Sequence, residues 1–322
     1  MNILETIVQS TKARIESKKR EVSLERVRAL AESRAKDSSG AGGLNGANVS
    51  NSAGSLGGGF NNAGVAKKSF ESALRKRREM DAKNAESKKA DSTILDSSSA
   101  TNAESKSLDS SADFKRLAFI CEVKKASPSK GVINHDFPYL QIAKNYEANG
   151  ADAISCLTEP QYFLGSDAYF KDIRAQVALP MIRKDFTIDE YMIYEARAMG
   201  ADAVLLIASV LDSAKMRDFD ALSTELGMSA LIETHDAKEV ESALAINPRI
   251  IGVNNRDLKT FEVNLQTSIN LRAIVPDDIL FVSESGIGSA DDLKLLYRHN
   301  VDAVLIGEWF MRQGALDLDR RL

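Results

Sequence analysis

Residues 114–322 are predicted to fold as an α/β domain of the (β/α)8 class, a TIM barrel, preceded by an extra N-terminal helix and a long low-complexity insert. Two observations predict the barrel. Eight short, β-rich apolar runs follow one another from Phe114 onward, and stretches of helical periodicity separate them. Eight strand–helix units in about 209 residues are the count and the size of this fold.

The chain before the barrel divides into two parts of different composition. Residues 1–36 are predicted to form a helical extension, because apolar residues recur at helical spacing within 3–8 and many charges follow. Residues 37–113 are predicted to be a disordered insert with a short ordered patch at 68–74, since stretches rich in Gly, Ser and Asn bury too little apolar surface to offset their ordering entropy. Neighbouring acids neutralise the basic cluster at 75–78, which favours a solvated insert over a nucleic-acid-binding tail.

The eight apolar runs are the predicted barrel strands. They cover residues 117–123, 151–157, 179–184, 201–207, 228–233, 249–254, 279–284 and 301–307. Three runs open with Ala-Asp-Ala or Val-Asp-Ala after a glycine or asparagine, which is the helix-to-strand turn repeating. An open doubly wound sheet is the alternative, but it usually has a glycine-rich first turn, and no G-x-G-x-x-G motif follows any run.

Composition gives no support to several classes of function. With 42 basic and 46 acidic residues the net charge is −4, so bulk charge predicts neither nucleic-acid nor membrane-surface binding. Cys121 and Cys156 lie inside apolar runs at no zinc or redox spacing, and we interpret them as buried thiols. The N-terminus lacks a signal-peptide pattern and no run of about 18 apolar residues occurs, so we expect a cytoplasmic protein without membrane contact.

Charged and polar residues close the C-terminal ends of several predicted strands, where a (β/α)8 barrel builds its active site. Glu122 and Lys124 lie two residues apart in the first strand, so their side chains share one face. The later strand ends carry Lys184, Glu233, Asn254 with Arg256 beyond it, and Glu284. One charge at a strand end is commonly an ordinary surface residue, but seven such residues at the same end predict a functional rim.

The last two strand ends carry a second signal, for a phosphate group. Ser285 and Gly286 follow the seventh run, Gly307 ends the eighth, and a helix is predicted to begin near Glu308. Loops at these positions, together with a helix N-terminus, form the usual phosphate site of this fold. The carboxylate of Glu308 would repel a dianion unless it points away, although its backbone N–H can still donate.

The motif EVKKASPSKG at residues 122–131 resembles the signature of the indole-3-glycerol-phosphate synthase family. Similar motifs follow in order and in phase with the strands: LTEPQYFLGS, RKDF, VLLI, IETH, GVNNRDL, SESGI and LIGE. The resemblance spans 114–322, and the N-terminal helix and residues 70–74 are similar to the family's segments before the barrel. Two departures stand out: 37–67 and 75–113 have no counterpart in the compact enzyme, and Trp309 with Phe310 replaces a smaller Ser-Leu pair.

The resemblance implies a lyase that closes the pyrrole ring of 1-(2-carboxyphenylamino)-1-deoxyribulose 5-phosphate and releases carbon dioxide and water. The substrate is its own electron source and sink, so the resemblance implies neither a cofactor nor a metal. The expected partner is this small phosphorylated molecule, and the expected assembly is a monomer. The three histidines, His135, His235 and His299, are interpreted as loop or helix-terminus residues.

The resemblance also implies catalytic roles. Lys124 and Lys184 are the two candidates for the general acid of ring closure; we favour Lys184 for that step, and Lys124 for holding the substrate carboxylate and for a later acid role. A nearby cation or desolvation would lower the pKa of such a lysine. Glu122 and Glu233 are the expected carboxylates of dehydration, kept ionised by the lysines.

The remaining residues are expected to bind substrate. Asn254 and Glu284 match ligands for the ribulose hydroxyls and the anthranilate part, and Arg256 suits a carboxylate. Three apolar side chains are expected to sandwich the aromatic ring: Phe163, Phe186 and Leu205. The phosphate is expected at Ser127, Ser285, Gly286, Gly307 and the N–H of Glu308.

Two functions of other classes fit the same fold. A different phosphate-binding barrel, such as an isomerase like phosphoribosylanthranilate isomerase, is expected to use a Cys/Asp pair, but Cys121 falls on the face opposite Glu122. A catalytically dead barrel that serves as a scaffold would have lost some of the rim residues, and all of them are present.

Overall fold

The structure is a computed structural model that describes residues 2–39, 69–75 and 117–313. In chain order its strands are β1 (Ala118–Val123), β2 (Ala126–Ser127), β3 (Gly131–Val132), β4 (Ala153–Leu157), β5 (Met181–Lys184), β6 (Ala203–Ile207), β7 (Ser229–Thr234), β8 (Ile250–Asn254), β9 (Leu280–Glu284) and β10 (Ala303–Ile306). Eight of them form a closed parallel barrel in the order β1-β10-β9-β8-β7-β6-β5-β4. Because β1 pairs with both β4 and β10, the barrel prediction is confirmed and the open-sheet alternative is wrong.

Helices alternate with the barrel strands and cover the outside of the barrel. They are α4 (Tyr139–Ala148), α5 (Asp167–Arg174), α6 (Glu190–Met199), α7 (Ser213–Glu225), α8 (Ala237–Leu244), α9 (Gln266–Arg272), α10 (Ala290–Arg298) and α11 (Glu308–Gln313). Five of them begin at an N-cap whose side chain accepts a hydrogen bond from a first-turn N–H: Ser166, Asp189, Asp212, Asp236 and Ser289. These caps start the helices close behind the strand ends and keep the rim loops short.

Two helices precede the barrel where the sequence predicts one. They are α1 (Ile3–Glu21) and α2 (Leu24–Ser39). The prediction of a single helix is wrong because Val22 adopts an extended conformation and Ser23 begins a new helix, its Oγ accepting from the N–H of Arg26. Both helices contact α6 on the outside of the barrel.

A further short helix, α3 (70–75), overlaps the patch predicted at 68–74. Phe70 and Leu74 are buried among the inward-facing residues of the strands. Glu71 pairs with Arg249 at 2.9 Å, at the entrance to β8, so α3 lies at the end of the barrel opposite the predicted rim. Residues 40–68 and 76–113 of the predicted insert lie outside the described residues.

The strands alternate between two buried layers. In β1, Phe119, Cys121 and Val123 pack against the helices, whereas Ile120 packs inside the barrel. Glu122 shares the inward face with Ile120, as the period of two predicts. Among the described helices, none is long and apolar enough to span a membrane.

Candidate active site

A cavity of about 620 Å³ opens at the C-terminal ends of the barrel strands. Every residue that the sequence predicts for the site lines it, although these residues come from the eight barrel strands and the loops that follow them. They are Glu122, Lys124, Ser127, Phe163, Lys184, Phe186, Leu205, Glu233, Asn254, Arg256, Glu284, Ser285, Gly286, Gly307 and Glu308. Parallel strands end at one rim, which is why residues far apart in sequence meet here.

Lys184 lies at the centre of the charged residues. Its Nζ donates to Oε2 of Glu233 at 2.7 Å and lies 3.3 Å from Oε2 of Glu284. Burial favours the neutral amine, but the carboxylates of Glu233, Glu284 and Glu122 outweigh it and raise the lysine pKa. The expectation of a lowered lysine pKa is therefore wrong for Lys184, which the structure holds as an ammonium ion.

The two carboxyl groups beside Lys184 differ in charge. Burial opposes ionisation of Glu233, but Lys184, His235 and a hydrogen bond from Asn254 hold its pKa well below the usual range. Burial and the neighbouring Glu233 instead raise the pKa of Glu284 to about 7. One glutamate is thus ionised while the other is half protonated near neutral pH, as interacting acids behave when they share one cation.

Glu122 and Lys124 form a second ion pair, on β1 and just beyond it. This contact agrees with the prediction that the side chains of Glu122 and Lys124 share one face of the strand. Oε1 of Glu122 accepts a long hydrogen bond from Ser155 at 3.5 Å, and its backbone oxygen accepts from the buried Tyr146 hydroxyl at 3.2 Å. Ser155 thus contacts the carboxylate from the β4 side, and Tyr146 of α4 anchors the backbone of Glu122.

One wall of the cavity is aromatic. The rings of Phe163 and Phe186 lie 6.0 Å apart at 43°, so they pack against each other and leave no slot between them. A substrate ring would therefore lie on this wall, with Leu205 below, rather than between the two phenylalanines. Glu159 fixes Phe163, because its carboxylate accepts from the backbone N–H groups of residues 161, 162 and 163.

The N-terminal helix supplies an apolar wall that the sequence reasoning missed. Three residues of its first two turns line the cavity: Ile3, Leu4 and Ile7. Ion pairs dock the helix on the rim, between Arg14 and Asp185 at 2.6 Å and between Lys18 and Glu195 at 2.7 Å. Asp185 is the neighbour of Lys184, so α1 braces the strand end that carries the central lysine.

The loops after β9 and β10 have the backbone shape expected of an anion site. Ser285 and Gly286 both have positive φ angles, 68° and 81°. A Cβ on Gly286 would lie 2.3 Å from Cγ1 of Val263, and one on Gly307 would lie 2.9 Å from Oε2 of Glu122. Position 286 thus needs glycine for its positive φ and its close approach to Val263, whereas the atom nearest to Gly307 is the end of the Glu122 side chain.

A lysine from the hairpin reaches the same loops. Nζ of Lys130, on the turn between β2 and β3, lies 4.0 Å from Oε1 of Glu308 and lines the cavity. The Lys130 ammonium partly offsets the negative charge of the Glu308 carboxylate. From the sequence alone, that charge is expected to repel a phosphate dianion. Sequence reasoning missed Lys130, although its position beside Ser127 in the signature motif offered a signal.

A profile of the family described as indole-3-glycerol phosphate synthase matches residues 71–321. The chain belongs to this family. Three relatives named indole-3-glycerol phosphate synthase support the assignment. Those of Ruminiclostridium cellulolyticum and Endomicrobium trichonymphae are 58% and 54% identical, each over 62% of this chain and over 76% and 77% of their own lengths. That of Chromobacterium violaceum is 50% identical over 62% of this chain and 75% of its own length.

Membership of the indole-3-glycerol phosphate synthase family makes the chain a decarboxylating lyase of tryptophan biosynthesis. The isomerase alternative lacks its acid–base cysteine in the structure. Cys121 is buried in the layer under the helices, and burial raises the pKa of its thiol. Within the described residues, no group of three or more His, Cys, Asp or Glu side chains is arranged to hold a metal ion.

The raised pKa of Glu284 predicts a pH-dependent loss of stability in this family member. The carboxyl group ionises at about pH 7 when folded and near its ordinary value of 4.5 when unfolded, so the folded state binds more protons between these values. Its contribution to stability therefore falls as pH rises from about 4.5 to 7 and stays lower above that range. Glutamine at position 284 does not ionise, so Glu284→Gln lacks this pH-dependent loss. The free energy of unfolding of the variant should therefore rise relative to that of wild type as pH rises.

Urea unfolding of wild type and Glu284→Gln at pH 5 and pH 8 measures this difference. Glu225→Gln, at the exposed end of α7, is the control and should follow wild type at both pH values. A difference between wild type and Glu284→Gln that does not change with pH would contradict the titration of Glu284.

The glycine at 286 predicts a second effect, on substrate affinity. Gly286→Ala must displace Val263 and strain a positive φ, so the loop moves away from the position where we expect the phosphate. We expect KM to rise roughly tenfold, about 1.4 kcal/mol or one hydrogen bond. Gly227→Ala is the matched control, because Gly227 also has a positive φ but open space around its Cβ position. If the two variants have the same KM, the loop at Gly286 is not part of the phosphate site.

Proposed function

We propose that this chain closes the pyrrole ring of 1-(2-carboxyphenylamino)-1-deoxyribulose 5-phosphate to give indole-3-glycerol phosphate, with Lys184 as the general acid of ring closure. One observation carries this assignment. The Lys184 ammonium lies between two buried carboxylates in the cavity, and their charges keep it protonated. A group that delivers a proton to a substrate oxygen must hold that proton when the substrate binds.

Ring closure joins the aromatic carbon that bears the carboxylate to the ketone carbon. The amine nitrogen supplies electrons, and the ketone oxygen gains negative charge and takes a proton from Nζ of Lys184. The bond to the carboxylate then breaks, carbon dioxide leaves, and the electron pair returns to the ring. A cation fixed in a buried site stabilises the developing oxygen charge more than it would in water.

Lys124 is proposed to hold the substrate carboxylate and to act later as an acid. It extends from the β1 end, two strands away from β5, and is more exposed than Lys184, at 18% against 12% of the side chain. Arg256, on the loop beyond β8, offers a planar guanidinium that suits the same carboxylate. Its backbone N–H donates to Oδ1 of Asn254 at 3.1 Å, so the positions of the two residues are linked.

Dehydration is proposed to use Glu233 and Glu122. The step removes a proton from the carbon beside the nitrogen and expels the former ketone oxygen as water, which leaves the aromatic pyrrole. Glu233 suits the base, because it is ionised and donors from Lys184 and Asn254 fix its two oxygens. Asn254 and Glu284 are proposed as ligands of the ribulose hydroxyls, and a half-protonated Glu284 can donate as well as accept.

The phosphate and the aromatic ring are proposed to occupy opposite ends of the cavity. The phosphate fits the loops at Ser285, Gly286, Gly307 and the N–H of Glu308, with Ser127 from the hairpin. The ring fits the wall of Phe163 and Phe186 above Leu205. With the phosphate and the ring bound there, we expect the ketone to lie between Lys124 and Lys184, where ring closure requires it.

The test is a fluorescence assay of purified protein with carboxyphenylamino-deoxyribulose 5-phosphate and EDTA. We expect indole fluorescence to appear with turnover, together with one carbon dioxide per product. EDTA should leave the rate unchanged if no metal takes part. Substrate that binds without turning over would favour the scaffold alternative or a site blocked by the insert, and deletion of 37–67 and 75–113 would separate these two.

We also propose that the enzyme acts as a monomer in the cytoplasm, with 37–113 as an insert that leaves the chemistry intact. The family resemblance supports the monomer, the lack of a signal-peptide pattern supports the cytoplasm, and the complete set of cavity residues supports an insert that leaves the chemistry intact. Sedimentation of the full chain with and without substrate tests the first, and a dimer would contradict it.

A further inference from the structure

His235 lies directly behind Glu233 at the end of β7. Its Nε2 is 3.5 Å from Oε1 of Glu233, and within the described residues this buried nitrogen has no hydrogen-bond partner. The ring does not line the cavity, so it reaches the substrate only through Glu233. None of the roles argued above uses His235.

Glu239 on α8 fixes the orientation of the ring. Its Oε2 lies 2.9 Å from Nδ1 of His235 and also accepts from the His235 backbone N–H at 2.8 Å. The carboxylate requires a proton on Nδ1, so Nε2 is the nitrogen whose protonation changes. Asp236, the N-cap of α8, accepts from the backbone N–H of Glu239 at 2.8 Å and so fixes the start of the helix.

Negative groups face His235 from several elements. They are Glu233 on β7, Glu239 on α8, Glu284 on β9 and Asp257 on the loop after β8. Lys184 lies on the far side of Glu233 and is the nearest cation of the site. Burial alone would lower the pKa of His235, but Glu239, Glu233 and Glu284 outweigh it and raise the pKa above its ordinary value. The same carboxylates surround an Nε2 that is unpartnered in the described part of the chain and lies 3.5 Å from Oε1 of Glu233, so the surroundings of the ring favour its charged form.

We propose that His235 is a positioning residue for Glu233: clamped by Glu239 and protonated, it donates from Nε2 to Oε1 of Glu233 and keeps that carboxylate ionised and aimed at the substrate. Lys184 contacts the other oxygen, so Glu233 is held from both sides. Loss of the Nε2 proton turns a donor into a lone pair that faces a carboxylate, so among the described residues Oε1 of Glu233 keeps only the long 3.4 Å hydrogen bond from Asn254 and is held less firmly. The proposal rests on the role of Glu233 in the proposed function.

The plot of kcat against pH should therefore have a falling limb at high pH that the ionisation of His235 controls. We expect kcat to fall as pH rises through the pKa of His235, because the donor to Glu233 is lost. Glu239→Gln keeps the shape of the clamp but removes its charge, so this limb should move to lower pH by about one unit, a typical shift for one nearby charge. The ionisation of Glu284 near pH 7 is a separate limb, and Glu239→Gln should move it little.

Substitutions at His235 separate a positioning role from a structural one. His235→Leu removes the donor, and we expect kcat to fall roughly 10- to 100-fold, the equivalent of one charge-assisted hydrogen bond. His235→Gln offers a neutral N–H near the position of Nε2, so it should restore much of kcat and abolish the high-pH limb. If Leu and Gln variants have the same kcat and keep the wild-type pH profile, the proposal fails.

A measurement without turnover keeps this test independent of the proposed function. The chain has three histidines, and His135 and His299 are exposed, so proton NMR of the imidazole resonances can assign His235 with His135→Gln and His299→Gln variants. We expect the pKa of His235 to lie above the ordinary histidine value in wild type and to fall in Glu239→Gln. A His235 pKa that is not raised, and that Glu239→Gln leaves unchanged, would overturn the clamp even if the enzyme turns over. Absence of turnover with the expected titration would instead count against the role of Glu233.

Discussion

Lys184→Gln is expected to lower kcat roughly 10²- to 10⁴-fold, the usual contribution of a general acid. The substitution removes the proton donor and also leaves Glu233 and Glu284 without the ammonium ion between them. Single-turnover assays that follow substrate loss and product fluorescence separately would place the defect in ring closure. Substrate should accumulate bound and unreacted.

Two variants serve as controls for Lys184. Lys125→Gln changes a lysine that does not line the cavity, so it should retain the wild-type rate. Lys124→Gln should raise KM more than it slows substrate loss, because Lys124 is proposed to hold the carboxylate. Equal loss of ring closure in Lys124→Gln and Lys184→Gln, with the same pH profile, would overturn the assignment of the acid.

Arg183→Met is expected to destabilise the fold by roughly 3–5 kcal/mol, the cost of removing one partner from a buried ion pair. The Arg183 side chain is 2% exposed and its Nη2 lies 2.7 Å from Glu195 and 3.0 Å from Asp167. Removing it leaves these two carboxylates and the fully buried Asp185, 3.6 Å away, with fewer positive neighbours. The strand end next to Lys184 would lose its support.

Urea unfolding at pH 7 measures this loss. Arg298→Met, at the exposed C-terminal end of α10, is the matched control and should change the free energy of unfolding by less than about 0.5 kcal/mol. A loss for Arg183→Met no larger than that of the control would show that Lys18 and Arg14 alone satisfy the carboxylates.

The barrel and the positions of the rim residues could be predicted because both follow from short-range rules. A strand has a period of two, and parallel strands end together, so Glu122 and Lys184 had to meet although 62 positions separate them. The break at Val22 could also have been found, since Ser23 is a good N-cap residue. The N-cap preference of Ser23 was a weaker signal than the helical spacing of the apolar residues around it.

The charge states could not be predicted in the same way. A lysine at a strand end fits either a lowered or a raised pKa, and the choice depends on how many carboxylates lie within a few ångströms across the barrel. Glu233 and Glu284 do so around Lys184 and the charge of Glu122 adds to them, an arrangement that appears only once the strands are closed. The contact of His235 with Glu233 and Glu239 has a different origin, because it is local and depends on how the end of β7 turns into the first turn of α8.

The docking of α1 has a consequence for the order in which parts of the protein fold during synthesis. Arg14 and Asp185 are 171 positions apart, and Lys18 and Glu195 are 177 apart. At the usual 5–20 residues per second of translation, the partners of α1 leave the ribosome roughly 10–30 s after the helix itself. α1 therefore cannot dock until Asp185 and Glu195 have been synthesised, and until it docks the cavity beside Lys184 lacks the wall of Ile3, Leu4 and Ile7.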